Sequence, residues 1–254
     1  MNRRDYLQSG TAAGVALSIG GCLEVGPLSG SPGATDDVVL EKPERYDDLR
    51  ASRDSGGLAY PIHADQMPES SVPAPLHGTE MSTREFVGER HTLFTFIFTR
   101  CPNTCQLLTQ ALRHVQDDSV EAGYEDEVAF MPMTFDPEAD TAEKLQEHAE
   151  RHGVNREPGH WYYLRPNGPG RAKEVVEEKL GIGFKHLTPE EREERGMSEE
   201  MYFQHVSSII LVNADGYVER NYTGGEREDA AGTDHAERAE SSEEFAPFHL
   251  TTAP

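Results

Sequence analysis

The sequence predicts a three-layer α/β domain built on a central mixed sheet, and three observations carry that reading. Strand-like apolar runs alternate with helical stripes between residues 92 and 180, the series closes on a pair of runs joined by a tight turn, and two cysteines fall at the first strand-to-helix junction. A cysteine pair placed there narrows the class to a thioredoxin-like sandwich.

The elements follow in order. A short edge strand broken by Pro73 and Pro75, a turn at His77-Gly78 and a segment from Ser82 to Val87 lead into the core. Thr92 to Phe98 is apolar, aromatic and β-branched, which suits a buried strand. From Asn103 to Val115, the residues Leu107, Leu108, Ala111, Leu112 and Val115 recur at helical spacing, and Pro102 stands near the first turn, where a missing N–H costs nothing. Glu127 to Phe135 is a second core strand, and Asp140 to His152 is an amphipathic helix stopped by Gly153. His160 to Leu164 reads as a third strand, with a helix from Arg171 to Leu180 stopping at Gly181. An inserted polar helix comes next, with Thr188 as N-cap, Pro189 at the first helical position, Glu191 completing a capping box and Gly196 as the stop. Phe203 to Val212 and Tyr217 to Tyr222, joined by the turn at 213–216, form a hairpin.

Around this core the chain divides into four parts. Residues 1–22 carry Arg3 and Arg4, an apolar Ala/Gly-rich stretch too short to span a bilayer securely, and Ile19-Gly20-Gly21-Cys22. That order resembles a twin-arginine export signal joined to a lipobox, with Cys22 as the lipidation site, and it places the protein outside the cell membrane as an outward-facing lipoprotein. Residues 23–59, rich in Gly, Pro, Ser and Asp, read as a flexible tether, and 60–224 as the folded domain. Residues 225–254 hold eight acids against two arginines and read as a solvated acidic tail.

The formal charge of −23 repels phosphate and excludes nucleic acid as a partner, and only five of the 23 basic residues are lysine. Such an acid-rich, lysine-poor surface resembles those of halophile proteins. Three cysteines are an odd number for an exported chain, but a lipid on Cys22 leaves Cys101 and Cys105 as one pair. A loop this short restrains an unfolded chain little, so stabilisation alone does not explain the pair. At a helix N-terminus the free N–H groups favour a thiolate. Two thiolates are soft donors suited to Cu(I), Zn(II) or an iron-sulfur cluster, yet they leave the coordination sphere incomplete.

The motifs "FTFIFTRCPNTC", "FMPMTFDPEADT" and "FQHVSSIILVNADG", in this order, resemble the Sco/SenC/PrrC family over roughly residues 70–224. The resemblance implies copper held by Cys101, Cys105 and His205 and matches Asp136 to the family's aspartate; placed after the second strand, Asp136 reads either as orienting a ligand or shifting a thiol pKa, or as a turn aspartate before Pro137 that caps the next element. It also implies delivery to, or thiol maintenance of, the copper site of a haem-copper oxidase subunit. A neutral imidazole beside two sulfurs makes a set that holds Cu(I) and tolerates Cu(II). The chain departs from the family at Gln204, often aspartate, at Gln106, often proline, and in showing no C-terminal amphipathic helix. The competing function is a thiol-disulfide oxidoreductase using Cys101 and Cys105 by mixed-disulfide exchange, for which His205 is unnecessary. His148 and His152, four apart within "QEHAERH", read as a solvated helix face, and Met131 and Met133 as core. Met197 and Met201 stand where they can shield copper from water.

Overall fold

In the computed structural model, which describes residues 37–224, the central sheet has four strands in the order β4-β3-β7-β8. Strand β3 (His91–Ile97) runs parallel to β4 (Val128–Thr134) and antiparallel to β7 (Ser207–Val212), which pairs antiparallel with β8 (Val218–Gly224). Two parallel strands need a crossover, and helix α2 (Thr104–Ala122) supplies it before the chain returns as the β7–β8 hairpin. This order and these directions are those of a thioredoxin-like fold. A separate hairpin, β1 (Ser71–Ala74) and β2 (Thr79–Ser82), precedes it. The export signal, the lipobox with Cys22, the tether as far as residue 36 and the acidic tail lie outside the described residues.

Every side chain of β4 is buried, as are those of β3 after His91, which accounts for their continuous apolar runs. Helix α2 packs on β3, β4 and β7 and runs past Val115, where its apolar stripe ends. Its further core positions are polar but satisfied: Gln116 Nε2 donates to Asn155 O at 2.7 Å and Ser119 Oγ to Gln116 O at 2.7 Å. Gly123, at φ 77°, ends it. Helix α3 (Ala142–Arg151) is capped by Thr141, whose hydroxyl accepts the Lys144 N–H.

Three expectations are corrected. His160 to Leu164 lies parallel beside β4 but meets it only at the bridges Phe130–Trp161 and Met133–Leu164. Phe130 N–H reaches His160 O and Thr134 N–H reaches Leu164 O, while between them stands Pro132, which has no N–H, so the ladder is interrupted. The predicted helix at 171–180 begins at Pro169 as α4 (Pro169–Ala172) and widens into a π-helix over Lys173–Lys179, where Leu180 N–H bonds to Val175 O. The predicted strand 203–212 is broken at Val206. Its first part, β6 (Phe203–His205), leaves the central sheet and pairs with β5 (Phe184–His186). Helix α5 (Pro189–Glu194) interrupts this small hairpin and forms with the Thr188–Glu191 capping box that the sequence prescribes.

The stretch 37–59, which composition assigns to the tether, is a further correction. Residues 37–59 lie on the domain: Val39 and Leu40 N–H groups each donate to the Glu219 carboxylate at 2.8 Å, and α1 (Tyr46–Asp54) buries Tyr46. Gly181 secures the join, because at φ 67° a Cβ there would stand 2.2 Å from the Ala59 carbonyl.

Candidate metal centre

Cys101 follows β3 in a loop whose backbone turns at once, its N–H donating to Phe98 O at 3.1 Å. Cys105 lies in the first turn of α2, where Thr109 Oγ1 donates to its carbonyl at 2.8 Å. The strand thus aims both cysteines at the helix N-terminus, and both are buried free thiols. His205 arrives from the other direction, at the end of β6. Its ring packs on Phe135, with centroids 4.9 Å apart, and on the edge of Phe98 at 6.1 Å. The Sγ and ring nitrogen atoms of Cys101, Cys105 and His205 all lie within 4.8 Å of one another, and among the described residues no other cluster of three such groups occurs.

The histidine tautomer follows from its contacts. Nδ1 stands 3.1 Å from Val206 O, which can only accept, so Nδ1 carries the proton. Nε2, 3.6 Å from Cys105 Sγ, then turns its lone pair toward the sulfurs. The two thiols are driven apart electrostatically. The hydrogen bond from Cys105 holds Cys101 well below the ordinary thiol range, assisted by the N–H groups of Asn103 and Cys105. Burial pushes Cys105 up, and the Cys101 charge adds to this. Within the pair, these opposite shifts favour the thiolate at Cys101 over Cys105.

The predicted trio is therefore assembled, but Asp136 is elsewhere. Its carboxylate meets Arg100 Nη2 at 2.5 Å and its N–H donates to Thr134 Oγ1, with no hydrogen bond to either sulfur or to the imidazole. The acid that supports the cysteine loop is Asp140, at the other end of the same motif. It is fully buried, accepts Thr99 Oγ1 at 2.6 Å and Thr99 N–H at 3.2 Å, and takes the Thr134 hydroxyl as well. Burial raises its pKa, and its charge contributes to the rise at Cys105. The motif "DPEADT" marked the region, but the choice of Asp140 rests on Thr99, 41 residues away, and on Thr134.

The two departures from the family pattern have local partners: Gln106 Nε2 donates to Cys101 O at 3.1 Å, and Gln204 Oε1 accepts from Arg195. His148 corrects the reading of a solvated face. It shares the inward side of α3 with Leu145 and Ala149, is 1% exposed, and bonds through Nδ1 to Tyr163 OH at 2.9 Å. Met131 and Met133 are core, and Met201 packs partly buried against it.

Chemically, two buried sulfurs and a half-buried imidazole with its lone pair turned toward them fit a soft, three-donor metal site, and equally a dithiol able to close into a disulfide. The SCO1/SenC family profile matches residues 75–240. A comparison with curated protein sequences returned no match. Among solved structures, a SCO1/SenC family lipoprotein from Bacillus anthracis is similar at 16% identity, covering 74% of this chain and 96% of that one, with a TM-score of 0.48. Bradyrhizobium japonicum ScoI with copper bound is similar at 18% identity over 63% and 88% of the two chains, with a TM-score of 0.44. BsSco, a member of the Sco family of cytochrome c oxidase assembly proteins in which a disulfide switch was identified, aligns at 21% identity over 66% and 87%, with a TM-score of 0.49.

Proposed function

The chain belongs to the SCO1/SenC family, and on that footing we propose that it binds copper through Cys101, Cys105 and His205 and hands it to the copper site of a haem-copper oxidase subunit. The observation that carries this reading is the convergence of three donor atoms within 4.8 Å, with the imidazole lone pair turned toward the sulfurs. Copper here is cargo. Cys101 offers a thiolate before the ion arrives, and Cys105 gives up its proton as the ion binds. Cu(I) is satisfied by two soft sulfurs, whereas Cu(II) draws on the nitrogen. A site needing both reduced sulfurs is switched off when they join as a disulfide.

We place this activity outside the cell membrane, with a lipid at Cys22, on the strength of the Arg3-Arg4 pair and the Ile-Gly-Gly-Cys run. Because 37–59 belongs to the folded part, the tether in this proposal is residues 23–36. The acid-rich surface suits a high-salt exterior. Residues 225–254 complete the proposed division as an acidic tail.

The split between the thiols also favours a second reading, thiol-disulfide exchange, in which the Cys101 thiolate attacks a partner disulfide and Cys105 resolves the mixed disulfide. Anaerobic titration with Cu(I) separates the two. Reduced protein should bind one ion per chain and the Cys101–Cys105 disulfide form none; absence of uptake by the reduced chain leaves the exchange reading.

A further inference from the structure

His205 rides on a hairpin that makes no ladder with the central sheet, since β5 and β6 form a two-stranded sheet of their own. Passage through Val206 into β7 fixes only one end of β6. Where the imidazole stands relative to the sulfurs therefore depends on side-chain contacts across the gap between hairpin and cysteine loop. One set is the ring cluster of buried Phe98, Phe135 and Phe203 with half-buried Phe184. Such contacts bring surfaces together without fixing direction.

The second set is directional. Arg100, immediately before Cys101, has its guanidinium carbon 4.4 Å from the ring centroid of Tyr202, three residues before His205. The same guanidinium meets the Asp136 carboxylate at 2.5 Å, so its plane is held from a second side. Arg192 of α5 also lies over the Tyr202 ring, at 5.2 Å, and its Nη1 donates to Leu187 O at 3.1 Å. Leu187 N–H in turn donates to Tyr202 O at 2.8 Å. Asp136, Arg100, Tyr202, Arg192 and Leu187 thus form one run of contacts that joins the loop after β4, the cysteine loop and the hairpin. The acidic excursion at 188–201 has a use in this arrangement, which is to deliver Arg192 to the ring.

We infer that Arg100 and Tyr202 are positioning residues that hold His205 against the cysteine pair and so set how strongly the site prefers to keep copper after its oxidation to Cu(II). The inference rests on the copper reading above. Loosening the ring contact lets the hairpin drift, which removes the nitrogen donor and leaves the two sulfurs untouched; Cu(II) loses affinity and Cu(I) does not.

The test compares wild type, Tyr202→Leu, Tyr202→Phe, Arg100→Lys and His205→Ala. Copper spectra and affinities are measured in both oxidation states, and histidine ring resonances are recorded by NMR on the reduced, metal-free proteins. Tyr202→Leu should weaken Cu(II) about tenfold, the size that two partly exposed cation–π contacts support. It should shift the sulfur-to-copper charge-transfer band, broaden the His205 ring signals and leave Cu(I) unchanged. Tyr202→Phe, which keeps the π face, should match wild type, and Arg100→Lys, which keeps the charge but loses the planar stack, should fall between. A Tyr202→Leu protein with wild-type band, affinity and His205 resonances overturns the inference while the copper reading stands. A wild type that binds no copper overturns the copper reading, and the NMR comparison then still decides whether the ring places the imidazole.

Discussion

Replacing Gly181 by alanine tests whether residues 37–59 are built into the domain. Gly181 has φ 67°, and an added Cβ would meet Ala59 C and O at 2.2 Å and Tyr60 N at 2.4 Å. These are backbone atoms, which cannot rotate away as the end of a long side chain can. The left-handed conformation alone costs a non-glycine residue about 1–2 kcal/mol. Displacing the 59–60 backbone adds a penalty of the overpacking kind, about 1–3 kcal/mol. Gly181→Ala should therefore destabilise by about 2–5 kcal/mol, the sum of those two ranges. Gly153→Ala is the control, because Gly153 also has φ 67° but its nearest neighbour is the Arg113 side chain at 3.8 Å; it should cost only the conformational part, about 1–2 kcal/mol. Urea unfolding of both variants measures the difference, and limited proteolysis of Gly181→Ala should show new cleavage within 37–59 as the segment detaches. Equal destabilisation of the two variants, with no new cleavage, would refute the close approach of Gly181 to Ala59.

Four further outcomes follow from the same structure. Because Cys101 is depressed and Cys105 raised, iodoacetamide below neutral pH should modify Cys101 first, with Cys105 following only as pH rises; mass spectrometry showing Cys105 labelled first contradicts this. Burial lowers the His148 pKa to about 3, so its stabilising contribution is complete above the unfolded value near 6.5 and is lost as pH falls toward 3, by up to about 1.4 kcal/mol per pH unit. His148→Gln should flatten the acid side of the urea-midpoint profile, and a pH-independent offset from wild type would count against the buried neutral imidazole. Asp140→Ala, which strips Thr99 and Thr134 of their buried acceptor, should cost about 2–4 kcal/mol in urea, and a neutral result would remove Asp140 from the support of the cysteine loop. Mass spectrometry of the mature N-terminus should find a lipid-modified Cys22, whereas an unprocessed Met1 in soluble protein sinks the proposed anchor.

Legibility in the sequence tracked how local the physics was. The capping box at Thr188 and Glu191, the two apolar core strands and the cysteine junction depend on neighbours in the chain, and each stood where its residues placed it. His205 is 100 residues from Cys105 and was legible only through the order of three motifs. What failed depended on distant partners or single atoms. The missing N–H of Pro132 interrupts pairing with 160–164, although the apolar run looks complete. Residues 37–59 have the composition of a linker, yet the Glu219 carboxylate takes the N–H groups of Val39 and Leu40, which no composition reveals. In "DPEADT" either aspartate could have turned inward, and the hydroxyls of Thr99 and Thr134 select Asp140. His148 looked solvated among charged neighbours, but its spacing from Leu145 matched the inward stripe and Tyr163 supplied a hydrogen bond.

The central claim is that an imidazole completes a two-sulfur copper site, and the most direct measurement compares wild type, His205→Ala and His114→Ala, loaded with Cu(I) anaerobically and then oxidised to Cu(II). His114, exposed on α2, is the surface control. All three proteins should take up one Cu(I), since Cys101 and Cys105 are intact. Wild type and His114→Ala should share one sulfur-to-copper charge-transfer band and one Cu(II) affinity, while His205→Ala should lose or shift the band and release Cu(II) far more readily. An identical spectrum and equal Cu(II) affinity in wild type and His205→Ala would contradict the three-donor site and leave the cysteines as an exchange pair.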